Sequence, residues 1–137
     1  PVLRAGLAML DAFLELVPSA EVGYFGLERN EQTAIARRYY EKVPKKLEDA
    51  IVYLLDPMLA TGGSLEHCVR LIVERGCTDI TVICVLAAPE GIERLANSGL
   101  PMRLVTAAID ERLNDRAFIV PGLGDAGDRQ FGGMPRF

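Results

Sequence analysis

Apolar residues change their spacing from one segment of the chain to the next, and each spacing predicts a different element. Near the start they recur every three or four residues, which predicts an amphipathic helix over residues 6–17 that ends at Pro18. Residues 21–27 then predict a short strand. Residues 28–49 have no sustained apolar period and predict a long polar loop or a projecting hairpin arm, since such connections are usually functional or disordered.

Continuous apolar runs predict buried strands further along the chain. Residues 51–55 are apolar throughout and residues 80–86 are apolar except for Thr81, as expected for strands that are covered on both faces. Between them, the pattern predicts a helix with Ser64 as its N-cap and Gly76 at its end. The apolar face of this helix comprises Leu65, Cys68, Val69, Ile72 and Val73.

One more helix and two more strands complete the pattern. Pro89 opens the helix and Gly99 closes it. Its apolar face comprises Ile92, Leu95 and Ala96. Strands follow over residues 102–107 and 118–120, and a Gly-rich tail without any period comes after them.

The alternation of strands and helices predicts an α/β fold with a mostly parallel central sheet flanked by helices. In such sheets, ligands bind outside the carboxyl ends of the strands. This rule selects Arg4 before the first helix, the loop after Leu55, residues 87–90 and the Gly-rich tail as candidate sites.

Composition narrows the class of protein. The 137 residues suit a single domain, and the net charge of −4 argues against a nucleic-acid-binding surface. No apolar run is long enough for a membrane helix, and no cleavable signal is visible. Three cysteines without a C-x-x-C pair favour buried thiols in a reducing compartment, which points to the cytoplasm.

The opening PVLRAG, apolar at once and without Met, predicts a portion of a longer protein.

Thr61–Ser64 stands where a buried strand passes into an amphipathic helix. Two glycines allow backbone N–H groups to turn toward one point, and the helix N-terminus and two hydroxyls add attraction for an anion. These features favour a phosphate-binding loop, and a simple strand-to-helix turn is the competing interpretation. Neither G-x-x-x-x-G-K-[ST] nor G-x-G-x-x-G occurs at this junction of strand and helix, which argues against a Walker loop and leaves a dinucleotide fingerprint unsupported.

The stretch DPMLATGGS, residues 56–64, resembles the phosphoribosyl diphosphate (PRPP) motif of the type I phosphoribosyltransferases, in the version found in uracil phosphoribosyltransferases. The general motif has two acids after the strand, and in the uracil enzymes the second is Pro, as Pro57 is here. Five further segments resemble the same family in the same order, so that the similarity covers nearly the whole chain. They are PVLRAGL, ERNE, AAPEG, TAAID and PGLGDAGDRQFG.

The resemblance implies a PRPP site. Thr61–Ser64, with Ala60, would hold the ribose 5-phosphate, and Asp56 would accept hydrogen bonds from the ribose hydroxyls. Arg4 and Arg29 would bind the diphosphate and act in catalysis. The whole implied site comprises Arg4, Arg29, Asp56, Pro57, Met58, Leu59, Ala60, Thr61, Gly62, Gly63, Ser64 and Asp125.

The resemblance also implies a C-terminal hood over the base, formed by residues 117–137. Its uracil-binding residues would be Ile119, Gly124, Asp125 and Ala126, chiefly through backbone N–H and C=O groups. Asp125 is the hypothesised catalytic group that helps uracil N1 to lose its proton, directly or through a water. The single His, His67, lies within a predicted helix and is not placed for that role.

The implied enzyme is a glycosyltransferase (a pentosyltransferase) of one domain that converts uracil and PRPP to uridine monophosphate (UMP) and diphosphate. Mg²⁺ would be its cofactor, held mainly by the diphosphate rather than by protein side chains. The arm suggests a homodimer or higher oligomer, with Tyr39 and Tyr40 either closing over the diphosphate or packing on a partner subunit. GTP stays open as an effector, since some relatives respond to it.

Two other interpretations compete with this one. A regulatory relative would sense PRPP or nucleotides without turnover, and the acidic balance and the complete GDAGD segment of the hood argue against it. A purine phosphoribosyltransferase would be expected to keep the second acid of the motif, so Pro57 argues against that class.

Overall fold

The computed structural model describes residues 1–29 and 36–133, of which residues 28–29 and 36–38 are described in backbone only. The helices are α1 (Leu7–Leu16), α2 (Gly63–Val73), α3 (Pro89–Asn97) and α4 (Ala126–Phe131). The strands are β1 (Val2–Leu3), β2 (Tyr24–Arg29), β3 (Ala36–Lys42), β4 (Ile51–Leu55), β5 (Met58–Leu59), β6 (Asp79–Ala87), β7 (Arg103–Ile109), β8 (Arg112–Leu113) and β9 (Ile119–Val120). Among these helices, none is long and apolar enough to span a membrane.

Parallel strands around β6 form the centre of the fold. β4 and β5 pair in parallel along one edge of β6, and β7 pairs in parallel along the other. A second sheet has the order β1–β2–β3, in which β1 is parallel to β2 and β3 is antiparallel to it. β8 and β9 form a short antiparallel pair. The predicted α/β fold with a mostly parallel central sheet is confirmed.

β4 and β5 lie in line along the same edge of β6, and their pairing with β6 is interrupted at Asp56 and Pro57. The pairing register is the same on both sides of the interruption. Pro57 has no N–H to donate, and its carbonyl accepts hydrogen bonds from the N–H groups of Val85 and Leu86 at 3.0 and 2.9 Å. The strand predicted to end at Leu55 therefore resumes and ends at Leu59.

The main core lies between one face of the central sheet and helices α2 and α3. Its buried side chains include Leu54, Leu65, Cys68, Val69, Ile72, Ile80, Val82, Cys84 and Leu95. The apolar face predicted for α2 packs here, with Val73 partly buried at its end. On α3, Leu95 is buried as predicted, whereas Ala96 is exposed.

The opposite face of the central sheet is more open than the apolar runs predicted. Ile51 is 63% exposed, Tyr53 43% and Val85 44%. α1 covers part of this face, where the rings of Phe13 and Tyr53 lie 5.1 Å apart. The prediction of coverage on both faces is therefore wrong for β4, because an apolar run does not specify what covers it. In β6, residues 80–86 are buried apart from Ile83 and Val85.

Two helix starts differ from the prediction. The N-cap of α2 is Gly62, which has left-handed backbone angles (φ 79°), and Ser64 lies inside the helix instead. The Gly-rich tail, in which no element was predicted, contains α4. Asp125 is the N-cap of α4 and accepts the Asp128 N–H, so polar capping rather than apolar periodicity defines this short helix.

Part of the polar stretch over residues 28–49 belongs to a β-hairpin. β2 begins at Tyr24, later than predicted, and pairs antiparallel with β3. An ion pair between Glu41 and Arg75 joins β3 to the end of α2. Tyr39 and Tyr40 are both exposed on β3.

Candidate functional site

Three predicted segments lie close together at the ends of parallel strands in the two sheets, the strands β1 and β4 with its continuation β5. Arg4 follows β1, Asp56 lies between β4 and β5, and a short loop joins β5 to α2. The turn after β1 packs directly on the end of β4, because a Cβ on Gly6 would overlap the carbonyl oxygen of Leu55. Backbone contact thus fixes Arg4 relative to the PRPP motif.

The loop from Ala60 to Gly62 turns the chain from β5 into α2. Gly62 has φ 79°, a conformation that strains other residues, and its carbonyl accepts the N–H of Glu66 at 2.9 Å. Because α2 begins at Gly63, the unpaired N–H groups and the positive end of the helix dipole face this loop. The backbone can therefore receive an anion here.

α3 packs closely on this loop, a contact that the sequence did not predict. A Cβ on Gly91 would overlap the carbonyl oxygen of Ala60 and would lie 2.8 Å from Cδ1 of Leu59. Gly91 thus allows α3 to approach the loop, which gives the AAPEG segment a structural role. A glycine inside a helix, where it is intrinsically unfavourable, is the signal that identifies such a contact.

Asp56 is a buried carboxyl group, only 9% exposed, at the interruption between β4 and β5. Its Oδ1 accepts a long hydrogen bond from the N–H of Met58 at 3.4 Å. Burial raises the pKa of Asp56 to about 7, and the Met58 hydrogen bond opposes this only in part. A ligand that donates hydrogen bonds to this carboxylate would favour its ionised form.

The cysteines near Asp56 remain protonated. Burial, and secondarily the charge of Asp56, raises the pKa of Cys84 to about 12 and also raises the pKa of Cys68. All three cysteines of the chain are free and buried. Thiols of this kind are inert, which agrees with the prediction of plain buried residues.

Arg4 reaches from the turn after β1 to α4. Its Nη2 donates to Oδ1 of Asp128 at 2.6 Å, and its Nη1 donates to the carbonyl of Gly132 at 3.2 Å. The Arg4 side chain is 33% exposed, so the guanidinium remains open to solvent on one side. Sequence reasoning did not identify Asp128 as its partner, and an anion at Arg4 would compete with this carboxylate.

The loop that leads into α4 is held in place by two carboxylates. Asp125 Oδ1 accepts the N–H of Asp128 at 2.9 Å. Asp110 Oδ2 accepts the N–H of Gly122 at 2.8 Å, which ties the loop to the end of β7. Asp110, the last residue of the TAAID segment, is therefore a positioning residue that had no assigned role.

Residues predicted to contact the base differ in their exposure. The Ile119 side chain is buried in one cluster with Met58 and Ala60. Ala126 is also buried, whereas Gly124 is exposed. The segment predicted to form the hood thus packs against the segment that resembles the PRPP motif.

Parts of the predicted PRPP site contribute no exposed side chain. Pro57 and Leu59 are buried because they continue the line of β4 along β6, and Leu59 is 1% exposed. Arg29 ends β2, but its side chain lies outside the described residues. The same holds for residues 30–35, which include the rest of the ERNE segment.

Oxygen ligands for a cation are sparse in this part of the molecule. Within residues 1–29 and 36–133, no three His, Cys, Asp or Glu side chains converge on one point. Asp56 and Asp125 are separate carboxylates beside the loop and the hood. This donor set fits Mg²⁺, which usually keeps waters and substrate phosphates as ligands and takes only one or two carboxylates.

Comparison with known proteins relates the chain to one family. A family model described as uracil phosphoribosyltransferase matches residues 1–133. The uracil phosphoribosyltransferase of Corynebacterium efficiens is 58% identical over 132 residues, and that of Streptomyces griseus is 53% identical over 134 residues. Each alignment covers 96% of this chain but only 63% and 64% of the respective relative, so the chain spans less than two thirds of their length.

Two solved structures share the architecture. The AQ2163 protein from Aquifex aeolicus matches with a TM-score of 0.92 at 44% identity, over 96% of this chain and 63% of that one. A purine phosphoribosyltransferase from Pyrococcus horikoshii matches with a TM-score of 0.62 at 18% identity, over 81% of this chain and 68% of that one. At such low identity the second likeness concerns the fold alone.

Proposed function

The chain belongs to the uracil phosphoribosyltransferase family and has the type I phosphoribosyltransferase fold, and from this premise we propose that its protein transfers the 5-phosphoribosyl group of PRPP to N1 of uracil. The products are UMP and diphosphate, and the reaction is a pentosyl transfer of pyrimidine salvage. One observation carries the proposal: the glycine loop before α2 lies beside the buried carboxyl of Asp56 and packs against the hood.

The loop before α2 would bind the ribose 5-phosphate. Backbone N–H groups at the start of α2 and the hydroxyl groups of Thr61 and Ser64 are the proposed donors. Hydrogen bonds to a charged group contribute about 1.5–3 kcal/mol each. Because the phosphate is remote from the bond that breaks, this binding energy can position the ribose for displacement.

Asp56 would accept hydrogen bonds from the ribose hydroxyls. Its pKa of about 7 means that the free protein holds a proton there for a substantial fraction of the time at neutral pH. Two hydroxyl donors stabilise the carboxylate form, so PRPP binding would release that proton. The carboxylate would then fix the orientation of the ribose ring.

Departure of diphosphate breaks the bond between ribose C1 and the diphosphate oxygen, and the electron pair leaves with the oxygen. Arg4, and Arg29 as the family resemblance implies, would stabilise the departing charge, with Arg4 exchanging Asp128 for diphosphate. Mg²⁺, when bound through the diphosphate, supplies further charge neutralisation. Positive charge then develops on C1, which requires that water be excluded from the site.

Uracil would bind under the hood, where backbone groups near Gly124 and Ile119 read its edge. The N1 lone pair forms the new bond to C1, and the N1 proton leaves. Asp125 is the proposed acceptor of that proton, directly or through a water. Its carboxylate keeps Oδ2 for this purpose, since Oδ1 accepts the Asp128 N–H.

Asp125→Asn is expected to slow turnover about 100-fold without unfolding the hood, because general-base catalysis contributes about 10²–10⁴. The Asn side chain keeps an oxygen that can accept the Asp128 N–H, so the cap of α4 survives. Steady-state kinetics at saturating PRPP and uracil, together with thermal unfolding, measure both effects. Asp115→Asn, an exposed acid before β9, is the matched control. Unchanged turnover of Asp125→Asn would rule out the proposed base.

The proposal extends to the surroundings in which the protein works. Three free, buried cysteines favour a reducing compartment, so we place the enzyme in the cytoplasm. The exposed Tyr39 and Tyr40 on β3 support self-association through the hairpin. GTP remains a candidate effector on the strength of the family resemblance.

The proposed activity is tested by mixing the intact protein with PRPP, Mg²⁺ and radiolabelled uracil. Label is expected to appear in UMP at a rate that depends on both substrates. Release of diphosphate in equal amount verifies that the label reports transfer and not exchange. Absence of labelled UMP with a folded, intact protein would refute the proposal.

A further inference from the structure

The side chain of Arg94, in the last turn of α3, lies along Gly62 in the loop before α2 and along Gly63, the first residue of α2. A Cβ on Gly62 would lie 3.4 Å from Cδ of Arg94. A Cβ on Gly63 would lie 3.3, 3.6 and 3.7 Å from Nη1, Cζ and Nη2 of the same guanidinium. These three similar distances indicate that the guanidinium lies flat over Gly63. The glycine pair therefore makes room for a cation in addition to turning the chain.

Glu66, in the first turn of α2, fixes this guanidinium. Its Oε2 accepts a hydrogen bond from Nε of Arg94 at 2.6 Å, and its Oε1 accepts one from Nη2 of Arg70 at 2.9 Å. Among the described residues, the hydrogen bond of Arg94 uses Nε, so Nη1 and Nη2 keep their N–H groups for another acceptor. Two arginines against one carboxylate leave the cluster with a net positive charge.

We propose that Arg94 strengthens binding of the sugar 5-phosphate by placing its guanidinium beside the loop before α2, an inference that rests on the function proposed above. The loop itself offers N–H groups and a partial positive charge from the helix. Arg94 adds a full positive charge at the same place, with Glu66 holding it in position. The phosphate affinity of the site is thus set in part by α3, outside the PRPP motif.

A simple tie between α2 and α3 is the alternative role of the same ion pair. Arg70 provides the comparison that separates a role in phosphate binding from a role in helix packing. It binds the same carboxylate and is exposed to the same extent, 52% against 51% for Arg94. However, Arg70 lies one turn beyond Glu66 along α2, away from the loop. An effect on phosphate binding should therefore follow the loss of Arg94 but not the loss of Arg70.

The experiment titrates ribose 5-phosphate, and separately uridine, into the intact protein and its variants. Arg94→Met is expected to raise the Kd of ribose 5-phosphate about five- to tenfold, and Arg70→Met by less than about twofold. Arg94→Lys, which keeps the charge, should recover most of the affinity. Uridine, which has no phosphate, should bind all variants alike, and the salt dependence of ribose 5-phosphate binding should be weaker in Arg94→Met.

Other outcomes overturn the proposal. Equal weakening by Arg94→Met and Arg70→Met, or a parallel loss of uridine binding, would assign the ion pair to helix packing. A wild-type protein that binds ribose 5-phosphate but forms no UMP would refute the proposed turnover while the Arg94 comparison still stands. A wild-type protein that fails to bind ribose 5-phosphate would overturn both proposals.

Discussion

Asp56→Asn is expected to reduce UMP formation about 100-fold or more and, at the same time, to stabilise the fold above neutral pH. The activity falls because an amide cannot offer the ribose hydroxyls a charged acceptor, and two such hydrogen bonds contribute about 3–6 kcal/mol together. The stability rises because the variant no longer buries a carboxylate that is 9% exposed.

The pH dependence of this stabilisation follows from the sign of the pKa shift. Burial raises the pKa of Asp56 from 3.8 to about 7, so the folded protein binds this proton more tightly than the unfolded chain does. The wild-type free energy of unfolding therefore falls as pH rises from about 4 to about 7, by about 4 kcal/mol from this group. Below about pH 4 both states are protonated, and above about pH 7 the loss is complete.

Urea unfolding of wild type and variant at several pH values measures this difference. The free energy of unfolding of Asp56→Asn, minus that of wild type, should grow by about 4 kcal/mol between about pH 4 and about pH 8. Asp79→Asn, at a half-exposed acid on the same sheet, is the matched control, because its surface ion pair with Arg103 contributes at most about 1 kcal/mol. A difference between Asp56→Asn and wild type that is constant with pH would mean that folding does not change the pKa of Asp56.

Gly91→Ala is expected to raise the KM for PRPP about tenfold and to lower the Tm, because its Cβ would overlap the carbonyl oxygen of Ala60. Ala60 contributes a backbone atom, which cannot rotate away, so α3 must shift relative to the loop. Overpacking of this kind costs about 1–3 kcal/mol. The damage falls on the loop before α2, since that loop and α3 are in direct contact.

Steady-state kinetics with PRPP varied at saturating uracil, and thermal unfolding in parallel, test this expectation. Glu93→Ala, at an exposed position on the same helix, is the control and should leave both quantities close to wild type. A lowered Tm with an unchanged KM for PRPP would show that the loop is insensitive to the position of α3.

The sequence predicted the loop between the strand that ends near Asp56 and α2 because the determinants of this loop are local. A glycine pair between an apolar strand and an amphipathic helix defines the turn, and Asp56 stands within the same short segment. Pro57 also has a local consequence, because the pairing with β6 is interrupted there. The strand was predicted to end at Leu55, whereas the pairing resumes and ends at Leu59. Residue types and spacing were sufficient to predict where this loop and Asp56 lie in the fold.

The contacts that hold the site together were not predicted, because they join residues that are distant in the sequence. Gly91 against Ala60, Arg4 with Asp128 and Asp110 with Gly122 all depend on how the elements pack. α4 was missed since its start depends on a capping carboxylate and its six residues are too few for a period. Exposure of β4 was misjudged because an apolar run does not reveal which elements cover each face.

In the most direct measurement, the intact protein is incubated with PRPP, Mg²⁺ and an equimolar mixture of uracil, cytosine, adenine, guanine and hypoxanthine. The nucleotides that form are then identified by mass spectrometry. UMP is the expected product, with diphosphate released in equal amount and with Asp56→Asn forming about 100-fold less. A purine nucleotide as the main product, or no nucleotide from a folded and intact protein that binds PRPP, would contradict uracil phosphoribosyl transfer at this site.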